Sequence, residues 1–369
     1  MTKHRGVPRL SALVLACLSF PAIAQAQQTY PRDARVDRLM NAAIDSSSPG
    51  AAVIVIHHGL VVHAAAYGLA DIEARRPNRV ESMFHMASTG KQFTALSVLM
   101  LSEQGKVSLD DPIGKHFPGL ARFGSKLTVR QMLHHTSGIP DYYDDSTGYR
   151  KLLAMNPEPT NSDIVHLYAD WGTARPAGVK FVYSNAGFDL LGSLVEKLSG
   201  QSLDAFLQEH VFGPAGMPSS FSLWNPVRFA DTMRSRGYDR KGSGWVVDDV
   251  DPLDHLVGSG SVYSSVVDLF HYDQALYSNQ LVRQSTLAQA FEPIRLANGQ
   301  LEPYGFGWRL DERSGIHYLH HGGAWEGYLS HILRIPDRQF SIFILQNRTD
   351  LDPGKFALAI FDLYRASLD

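Results

Sequence analysis

The chain has 369 residues, with 34 Lys or Arg against 37 Asp or Glu, so its formal charge is −3. This balance lacks the basic surface that nucleic-acid binding requires, and no nucleic-acid partner is expected. Hydrophobic residues make up 44% of the chain, which is enough for a large core and excludes a disordered or collagen-like protein.

Residues 1–26 have the pattern of an export signal. Basic residues precede an apolar run over 10–20, and small residues follow at alternate positions up to Ala26. Cleavage there predicts a mature catalytic chain, 27–369, that is periplasmic or secreted. The run is shorter than the ~20 residues needed to span a bilayer, so the mature chain should have no transmembrane segment. The single cysteine, Cys17, lies within this run, and lipoprotein anchoring through Cys17 is the alternative.

Apolar patterns predict a sheet built from two distant parts of the chain. A helix is expected over 32–44, followed by strands over 51–57 and 60–67. Near the other end, the predicted strands are 306–310, 315–319, 328–335 and 339–345, and a helix over 354–365 follows them. Helical patterns dominate the middle of the chain, for example over 94–103, 186–198 and 267–277.

This order of elements predicts an α+β fold, in which an antiparallel sheet is flanked by N- and C-terminal helices and carries a large all-α insert. The α/β part would comprise about 31–87 and 290–369, and the helical part about 88–289. The active cleft is expected between the two parts.

Ser88 and Lys91 form the one Ser-x-x-Lys pattern in the chain. At a predicted helix start, residues three apart share one face of the first turn. The backbone amides and the helix dipole beside Ser88 favour an oxyanion on a carbonyl that the serine attacks. Lys91 can then act as the base if burial favours its neutral amine. The alternative is a helix-capping serine beside a solvated lysine.

The tripeptide Tyr-Ser-Asn occurs twice, at 183–185 and at 277–279. A tyrosine near a lysine can move protons, and an asparagine side chain can hold a substrate amide. The second copy ends an amphipathic helix, where the tyrosine should pack and the asparagine should cap. Tyr183 is therefore predicted to be catalytic and Tyr277 to be structural.

His321, Gly322 and Gly323 form a third element at a predicted strand edge. Glycines let a strand backbone approach a ligand closely, and the amide of Ala324 would be an oxyanion donor together with the amide of the serine. The alternatives are a simple turn, or a register that begins at His320.

In this order, and at spacings of about 95 and 138 residues, the three elements resemble the β-lactamase and penicillin-binding protein superfamily. The closest branch contains class C β-lactamases, D-Ala-D-Ala carboxypeptidases and related esterases. In that branch a glycine follows the third-motif histidine by six positions, as Gly327 follows His321, which selects the register. Further similar stretches are 84–118, 127–140, 175–192, 258–270, 304–308 and 321–330.

The resemblance implies that Ser88 is the nucleophile and Lys91 its proton acceptor. Tyr183 would protonate the leaving group and activate the deacylating water, and Asn185 would bind the acyl side chain. The oxyanion donors would be the amides of Ser88 and Ala324. The substrate-binding residues would be Asn185, His321, Gly322 and Gly323.

The implied activity is that of an exported serine hydrolase with a small-molecule or peptide substrate and no cofactor. Class C β-lactamases usually carry Lys-Thr-Gly in the third motif, and here His321 takes the place of the cation, as in some soluble carboxypeptidases and D-amino-acid peptidases. This departure argues against efficient β-lactam turnover. A carboxylesterase, or a covalent penicillin-binding or receptor protein with little turnover, is the alternative, and the motifs leave the oligomeric state open.

The histidines, two adjacent tyrosines and one asparagine are further candidates for a functional role. Sixteen histidines suggest metal binding, but adjacent histidines on a strand point to opposite faces and His-Glu-x-x-His is absent, so no metal site is predicted. Tyr142 and Tyr143 are expected either to wall the cleft or to pack at the surface. Asn347 is expected, by analogy alone, to approach a substrate carboxylate.

Overall fold

The computed structural model describes residues 29–121, 126–143, 146–171, 175–222 and 233–368. The predicted export signal, with Cys17, lies outside these residues and stays a prediction. Among the helices of the described ranges, none combines the length and the apolar character needed to cross a membrane.

A six-stranded antiparallel sheet joins the two ends of the chain. Its strands are β1 (Ala51–His57), β2 (Leu60–Tyr67), β3 (Arg309–Arg313), β4 (Ile316–Trp325), β5 (Tyr328–Ile335) and β6 (Phe340–Gln346). Their order across the sheet is β3-β4-β5-β6-β1-β2. The N- and C-terminal parts meet where β1 pairs with β6, with Ala51 opposite Gln346 and Ile56 opposite Ser341. The predicted α+β fold is confirmed.

Seven helices of eight or more residues lie within the described residues. They are α1 (Ala34–Asn41), α2 (Lys91–Glu103), α3 (Ser146–Met155), α4 (Asn161–Trp171), α5 (Asn185–Ser199), α6 (Val266–Ala275) and α7 (Pro353–Tyr364). Shorter α-helices are Ile113–His116, Val129–Leu133, Leu203–Leu207, Gly213–Ala215 and Gln284–Leu287.

Short strands that the sequence analysis did not predict lie within the insert and in the chain on either side of it. Phe84–His85, Val262–Ser264 and Phe221–Ser222 form a small sheet, and Tyr238–Lys241 pairs with Gly244–Val247. Other two- or three-residue strands are Leu69–Asp71, Arg76–Pro77, Ile294–Arg295 and Leu301–Glu302.

The main sheet is covered on both faces, and this explains the unbroken apolar sequence of β1. Its side chains at positions 51, 53 and 55 pack with the terminal helices α1 and α7, whereas those at 52, 54 and 56 pack with the helical part. A strand that is buried on both faces has no reason to alternate apolar and polar residues.

A buried ion pair ties the sheet to the insert. Nε of Arg334, on β5, lies 2.6 Å from Oδ1 of Asp273, on α6, and both side chains are almost completely buried. The Arg334 guanidinium also lies 5.1 Å from the centroid of the Tyr277 ring. The structure therefore places the second Tyr-Ser-Asn copy in the packing between sheet and helices.

Two strand boundaries differ from the predictions near the third motif. The predicted strand 315–319 continues to Trp325 as β4, so the motif lies inside a strand. The predicted strand 306–310 begins only at Arg309, because Gly307 has a φ of +77° and packs against the start of α2. A Cβ at Gly307 would lie 2.9 Å from the backbone N of Gln92, so this close turn requires glycine.

Candidate active site

Ser88 lies in a 3-10 turn, Ala87–Gly90, that leads directly into α2. The sequence predicted a helix that opens at Ser88, and the structure inserts this tighter turn before it. Ala87 has a φ of +50°, in the left-handed region that is unfavourable for a residue with a side chain. Its amide donates a hydrogen bond to Nδ1 of His85 at 3.0 Å. The strained turn leaves Ser88 half-buried in the wall of a cleft.

The side chain of Lys91 is completely buried, and its amine contacts three oxygen atoms. Nζ lies 3.1 Å from Oγ of Ser88 and donates hydrogen bonds to Oδ1 of Asn185 and the carbonyl oxygen of Ser259, both at 2.7 Å. The centroid of the Tyr183 ring lies 4.8 Å from Nζ. The first two sequence elements, 95 residues apart, therefore meet at one amine.

The hydroxyl of Tyr183 is buried and has no hydrogen-bond partner among the described residues. Its ring packs on His135, with the ring centroids 4.2 Å apart. Asn185 follows as the first residue of α5, whose start is capped by a bond from the amide of Gly187 to Oγ of Ser184 at 3.1 Å. A buried hydroxyl without a protein partner is unfavourable for stability, but it can bond to a substrate atom.

The third element leads into the wall of the same cleft: Ala324 and Trp325 line it, whereas His321, Gly322 and Gly323 are not among its lining residues. The pairing of β4 with β3 ends at His320, so the strand edge beyond it is not paired with β3. A Cβ added to Gly323 would lie 2.5 Å from the carbonyl oxygen of Met86 and 3.0 Å from the amide N of Ser88. Only a glycine lets the strand approach the Ser88 turn this closely. Ser88 and Ala324, whose amides are the predicted oxyanion donors, both line the cleft.

A chain of hydrogen bonds fixes the ring of His321. His135 Nδ1 accepts the amide proton of Ser184 at 3.1 Å, so its Nε2 carries a proton and donates to the Tyr304 hydroxyl at 3.1 Å. That hydroxyl can then donate to Nε2 of His321 at 3.0 Å. The Nδ1 proton of His321 in turn reaches the carbonyl oxygen of Gly322 at 2.7 Å. This network assigns one proton to each imidazole.

His321, which stands at the position of the class C lysine, is therefore neutral in this network. Burial is the main cause that holds the pKa of His321 well below its usual range. The register is as predicted, because the His321 ring lies 6.1 Å from the Tyr183 ring, whereas His320 stacks on His331 at 5.5 Å.

Aromatic and apolar side chains form the opposite wall of the cleft. The sequence analysis left open whether Tyr142 and Tyr143 line the cleft or pack at the surface. Both line the cleft, as do Leu253 and Trp325. The indole Nε1 of Trp325 donates to Oδ1 of Asp254 at 2.6 Å, which fixes the ring. Burial raises the pKa of Asp254 to about 6.

Asn347 does not line this cleft, and the expectation that it meets a substrate carboxylate is wrong. It is completely buried, its amide donates to two backbone carbonyls at 3.0 and 2.8 Å, and its Oδ1 accepts from Gly50 at 2.8 Å. The side-chain amide of Asn347 therefore bonds to the backbone of the protein and not to a substrate in the cleft. Gly327 likewise has a packing role, since a Cβ there would lie 2.1 Å from the backbone N of Tyr238.

Sequence reasoning missed the contribution of Ser259, Tyr304 and His135 to the site. Each lies in a stretch that supported the resemblance (258–270, 304–308 and 127–140), but their bonds join parts of the chain that no local pattern connects. In the ranges that the structure describes, no cluster of three or more His, Cys, Asp or Glu residues could hold a metal ion.

A family model described as Beta-lactamase matches residues 32–366. The chain belongs to the beta-lactamase family. It is 32% identical over 314 residues to Penicillin-binding protein 4* of Bacillus subtilis (strain 168), a match that covers 81% of this chain and 68% of that protein. It is 26% identical over 308 residues to Protein flp of Staphylococcus aureus (strain MW2), covering 81% of this chain and 59% of that protein. The chain thus spans about three fifths of the second relative.

Solved structures give the same assignment. The octameric penicillin-binding protein homologue from Pyrococcus abyssi matches with a TM-score of 0.78 and 26% identity, covering 90% of this chain and 77% of that chain. The penicillin binding protein from Bacillus halodurans matches with a TM-score of 0.75 and 25% identity, covering 89% and 98%. Membership of the family supports a serine hydrolase or penicillin-binding function in general.

The close approach of Gly323 to the Ser88 turn generates a testable prediction. Gly323→Ala should slow covalent labelling of Ser88 by a fluorophosphonate about 100-fold or more, because the added Cβ forces β4 away from the Ser88 amide. Gly119→Ala is the control, since Gly119 lies in a 3-10 helix outside the cleft and the nearest atom to its added Cβ is 3.8 Å away. Its labelling rate should stay close to that of the unaltered protein. Equal rates for the two variants would remove Gly323 from the site.

Proposed function

We propose that the chain is an exported serine hydrolase that cleaves ester or amide bonds through an acyl-enzyme on Ser88. The observation that carries this proposal is the set of contacts around Lys91. A neutral amine has two N–H groups and one lone pair. Asn185 and Ser259 accept the two N–H groups at 2.7 Å, so the lone pair faces Oγ of Ser88 at 3.1 Å. Lys91 is thus oriented to take the serine proton.

In the acylation step, Oγ of Ser88 forms a bond to the substrate carbonyl carbon while its proton passes to Nζ of Lys91. The carbonyl electron pair moves to its oxygen, and the amides of Ser88 and Ala324 would donate to the resulting oxyanion. Preorganised donors of this kind stabilise the charge without reorganisation during the reaction. The close fit of Gly323 against the serine turn holds the two donors at a fixed separation.

The Tyr183 hydroxyl would complete the cycle. It gives its proton to the leaving group as the scissile bond breaks, and regains one from the Lys91 ammonium. In deacylation, water attacks the acyl carbonyl and its proton moves through the same oxygen to Lys91, which returns a proton to Ser88. The position of the Tyr183 ring beside the Lys91 amine, with its centroid 4.8 Å from Nζ, supports its assignment to proton transfer.

The walls of the cleft favour some substrates over others. Tyr142, Tyr143, Leu253 and Trp325 offer aromatic and apolar surface to an acyl group. His321 is neutral and uses both ring nitrogens, so it does not replace the lysine of class C β-lactamases. An ester or a peptide bond therefore fits this site better than efficient β-lactam turnover does.

Export rests on the sequence alone. The basic start, the apolar run and the small residues up to Ala26 support a cleaved signal and a periplasmic or secreted hydrolase.

A covalent penicillin-binding protein with little turnover is the second candidate function. It is favoured by the relatives, since Penicillin-binding protein 4* of Bacillus subtilis and the homologue from Pyrococcus abyssi are both named for penicillin binding. Steady turnover of p-nitrophenyl butyrate, a D-Ala-D-Ala peptide or nitrocefin would favour the hydrolase. A single burst on all three, with no turnover, would favour the binding protein.

Replacing the nucleophile tests both candidates. Ser88→Ala should abolish labelling by a fluorophosphonate and by a fluorescent penicillin, because no other oxygen faces the Lys91 amine in the same way. Ser97→Ala is the control, since that buried hydroxyl of α2 only donates to the carbonyl of Phe93 at 2.8 Å. Labelling read by gel fluorescence should persist in the control. Labelling that persists in Ser88→Ala would exclude this serine as the nucleophile.

The two Tyr-Ser-Asn copies provide a matched pair for the proton-transfer assignment. Tyr183→Phe should reduce kcat for ester hydrolysis by about 100- to 10,000-fold, because the general acid and base is lost. Tyr277→Phe removes the same atom from the packing between sheet and helices, and kcat should remain nearly unchanged. Steady-state kinetics on p-nitrophenyl butyrate measure both. A similar kcat for the two variants would contradict the role of Tyr183.

A further inference from the structure

Asp189 is a completely buried carboxylate on α5, one helical turn after Asn185 and on the same face. Its Oδ1 accepts the backbone N–H of Ser259 at 3.0 Å, and its Oδ2 accepts the hydroxyl of Tyr142 at 2.8 Å. Neither the motifs nor the mechanism above uses this residue.

The peptide group at Ser259 connects Asp189 to the reactive amine. Its N–H is held by Asp189, and its carbonyl accepts the hydrogen bond from Lys91 at 2.7 Å. The carbonyl that orients the lysine lone pair therefore belongs to a residue that the carboxylate holds in place.

The loop before Ser259 is also held by neutral side chains that do not contact the carboxylate of Asp189. Asn161 donates to the carbonyl of Val257 at 2.7 Å and accepts from its amide at 2.9 Å. The hydroxyl of Thr94 also donates to the carbonyl of Gly258 at 2.8 Å. Neutral side chains thus hold this loop against α2 and α4, and Asn161 also donates to the backbone carbonyl of Asp189 at 3.0 Å.

A buried carboxylate is moreover unfavourable for folding. Burial raises the pKa of Asp189 to about 6, above its ordinary value of 3.8, while its hydrogen bonds and Lys91 act in the opposite direction. Because the folded-state pKa is the higher one, the stability of the fold decreases as pH rises from about 4 to about 6 and stays lower above that range. The charge reduces stability at neutral pH, so a structural role alone does not explain it.

We propose that Asp189 is a positioning residue for the acylation step. It holds the Ser259 carbonyl on the Lys91 amine, and its negative charge stabilises the ammonium that forms when Ser88 is acylated. The inference rests on the proposed function, since it requires Lys91 to accept the serine proton. With a fluorophosphonate, the serine oxygen bonds to phosphorus, fluoride leaves, and the serine proton passes to Lys91.

Three titratable groups near Asp189 and Lys91 do not change their charge near neutral pH. Burial raises the pKa of Tyr142 well above its usual range. Burial holds the pKa values of His135 and His321 well below their usual range. These three groups therefore stay neutral near pH 7. The titratable groups around Asp189 and Lys91 are Tyr142, Tyr143, Asp141, Tyr183, His135 and His321.

The test is the pH dependence of fluorophosphonate labelling in Asp189→Asn. The amide oxygen can still accept from Ser259, so the geometry is kept while the charge is removed. The labelling rate plotted against pH should fall on the acidic side, where Lys91 is protonated; we call this fall the acidic limb. Without the negative charge of Asp189 the Lys91 ammonium is less stable, and the acidic limb should move about one pH unit lower. The labelling rate on the plateau should decrease about tenfold, because the lysine becomes a weaker base.

Asp268→Asn is the matched control. Asp268 is also buried on a helix, its pKa is also raised by burial, and it bonds to Ser219 at 2.9 Å and to Ser220 at 2.8 Å. Asp268→Asn should change neither the labelling rate on the plateau nor the pH of the acidic limb.

Thermal unfolding provides a second readout. At pH 8 the unaltered protein carries the buried charge and Asp189→Asn does not, so the Tm of the variant should be higher by about 2 °C or more. At pH 4.5 the folded aspartate is mostly protonated, so the difference in Tm should be much smaller than at pH 8. An aspartate with a purely structural role would instead give a lower Tm for the variant at both pH values.

The possible outcomes are distinct. A lower plateau together with a displaced acidic limb supports the proposal. An acidic limb that coincides with that of the unaltered protein overturns it, whether or not the plateau decreases. If Ser88 is labelled in the unaltered protein, such a result affects Asp189 alone, whereas no labelling in the unaltered protein would overturn the proposed function as well.

Discussion

A buried amine must find hydrogen-bond acceptors, and this constraint organises the cleft. The amine of Lys91 contacts oxygens from three separate parts of the chain: the serine turn before α2, the start of α5, and the loop at Ser259. Two of these oxygens can only accept, whereas the serine hydroxyl can also donate. The same contacts satisfy the lysine in the folded state and support the proposal that it acts as the base. Stability and the proposed reactivity would then have a common cause.

The backbone around the lysine is held in place by close approaches that tolerate little change. Ala87 has a left-handed conformation before the serine, and Gly323 brings β4 within contact of the serine amide. On the far side, the hydrogen-bond chain from His135 through Tyr304 fixes the ring of His321 in a neutral form. The candidate site thus combines a closely packed serine turn, one buried amine and a neutral third-motif histidine. This combination separates the site from one built around a third-motif lysine.

Much of the fold and of the candidate site could be predicted from the sequence, for reasons that particular residues make clear. The bounds of β1 and β2 agree with the structure, because a two-sided apolar strand and the turn at His58-Gly59 are local signals. The charge state of His321 could not be predicted, since it depends on Tyr304 and on burial. Asn347 was misjudged because its neighbours, including Gly50, come from distant strands. Asp189 went unnoticed because no local pattern indicates that its partner is a backbone amide 70 residues away.

Neutron diffraction on deuterium-exchanged crystals at neutral pD would show the protonation state of the lysine and serine pair. We expect two deuterons on Nζ of Lys91, directed at Oδ1 of Asn185 and the carbonyl oxygen of Ser259. A third deuteron should lie on Oγ of Ser88 and point at Nζ. Three deuterons on Nζ, with one directed at the serine oxygen, would contradict the assignment of Lys91 as the base.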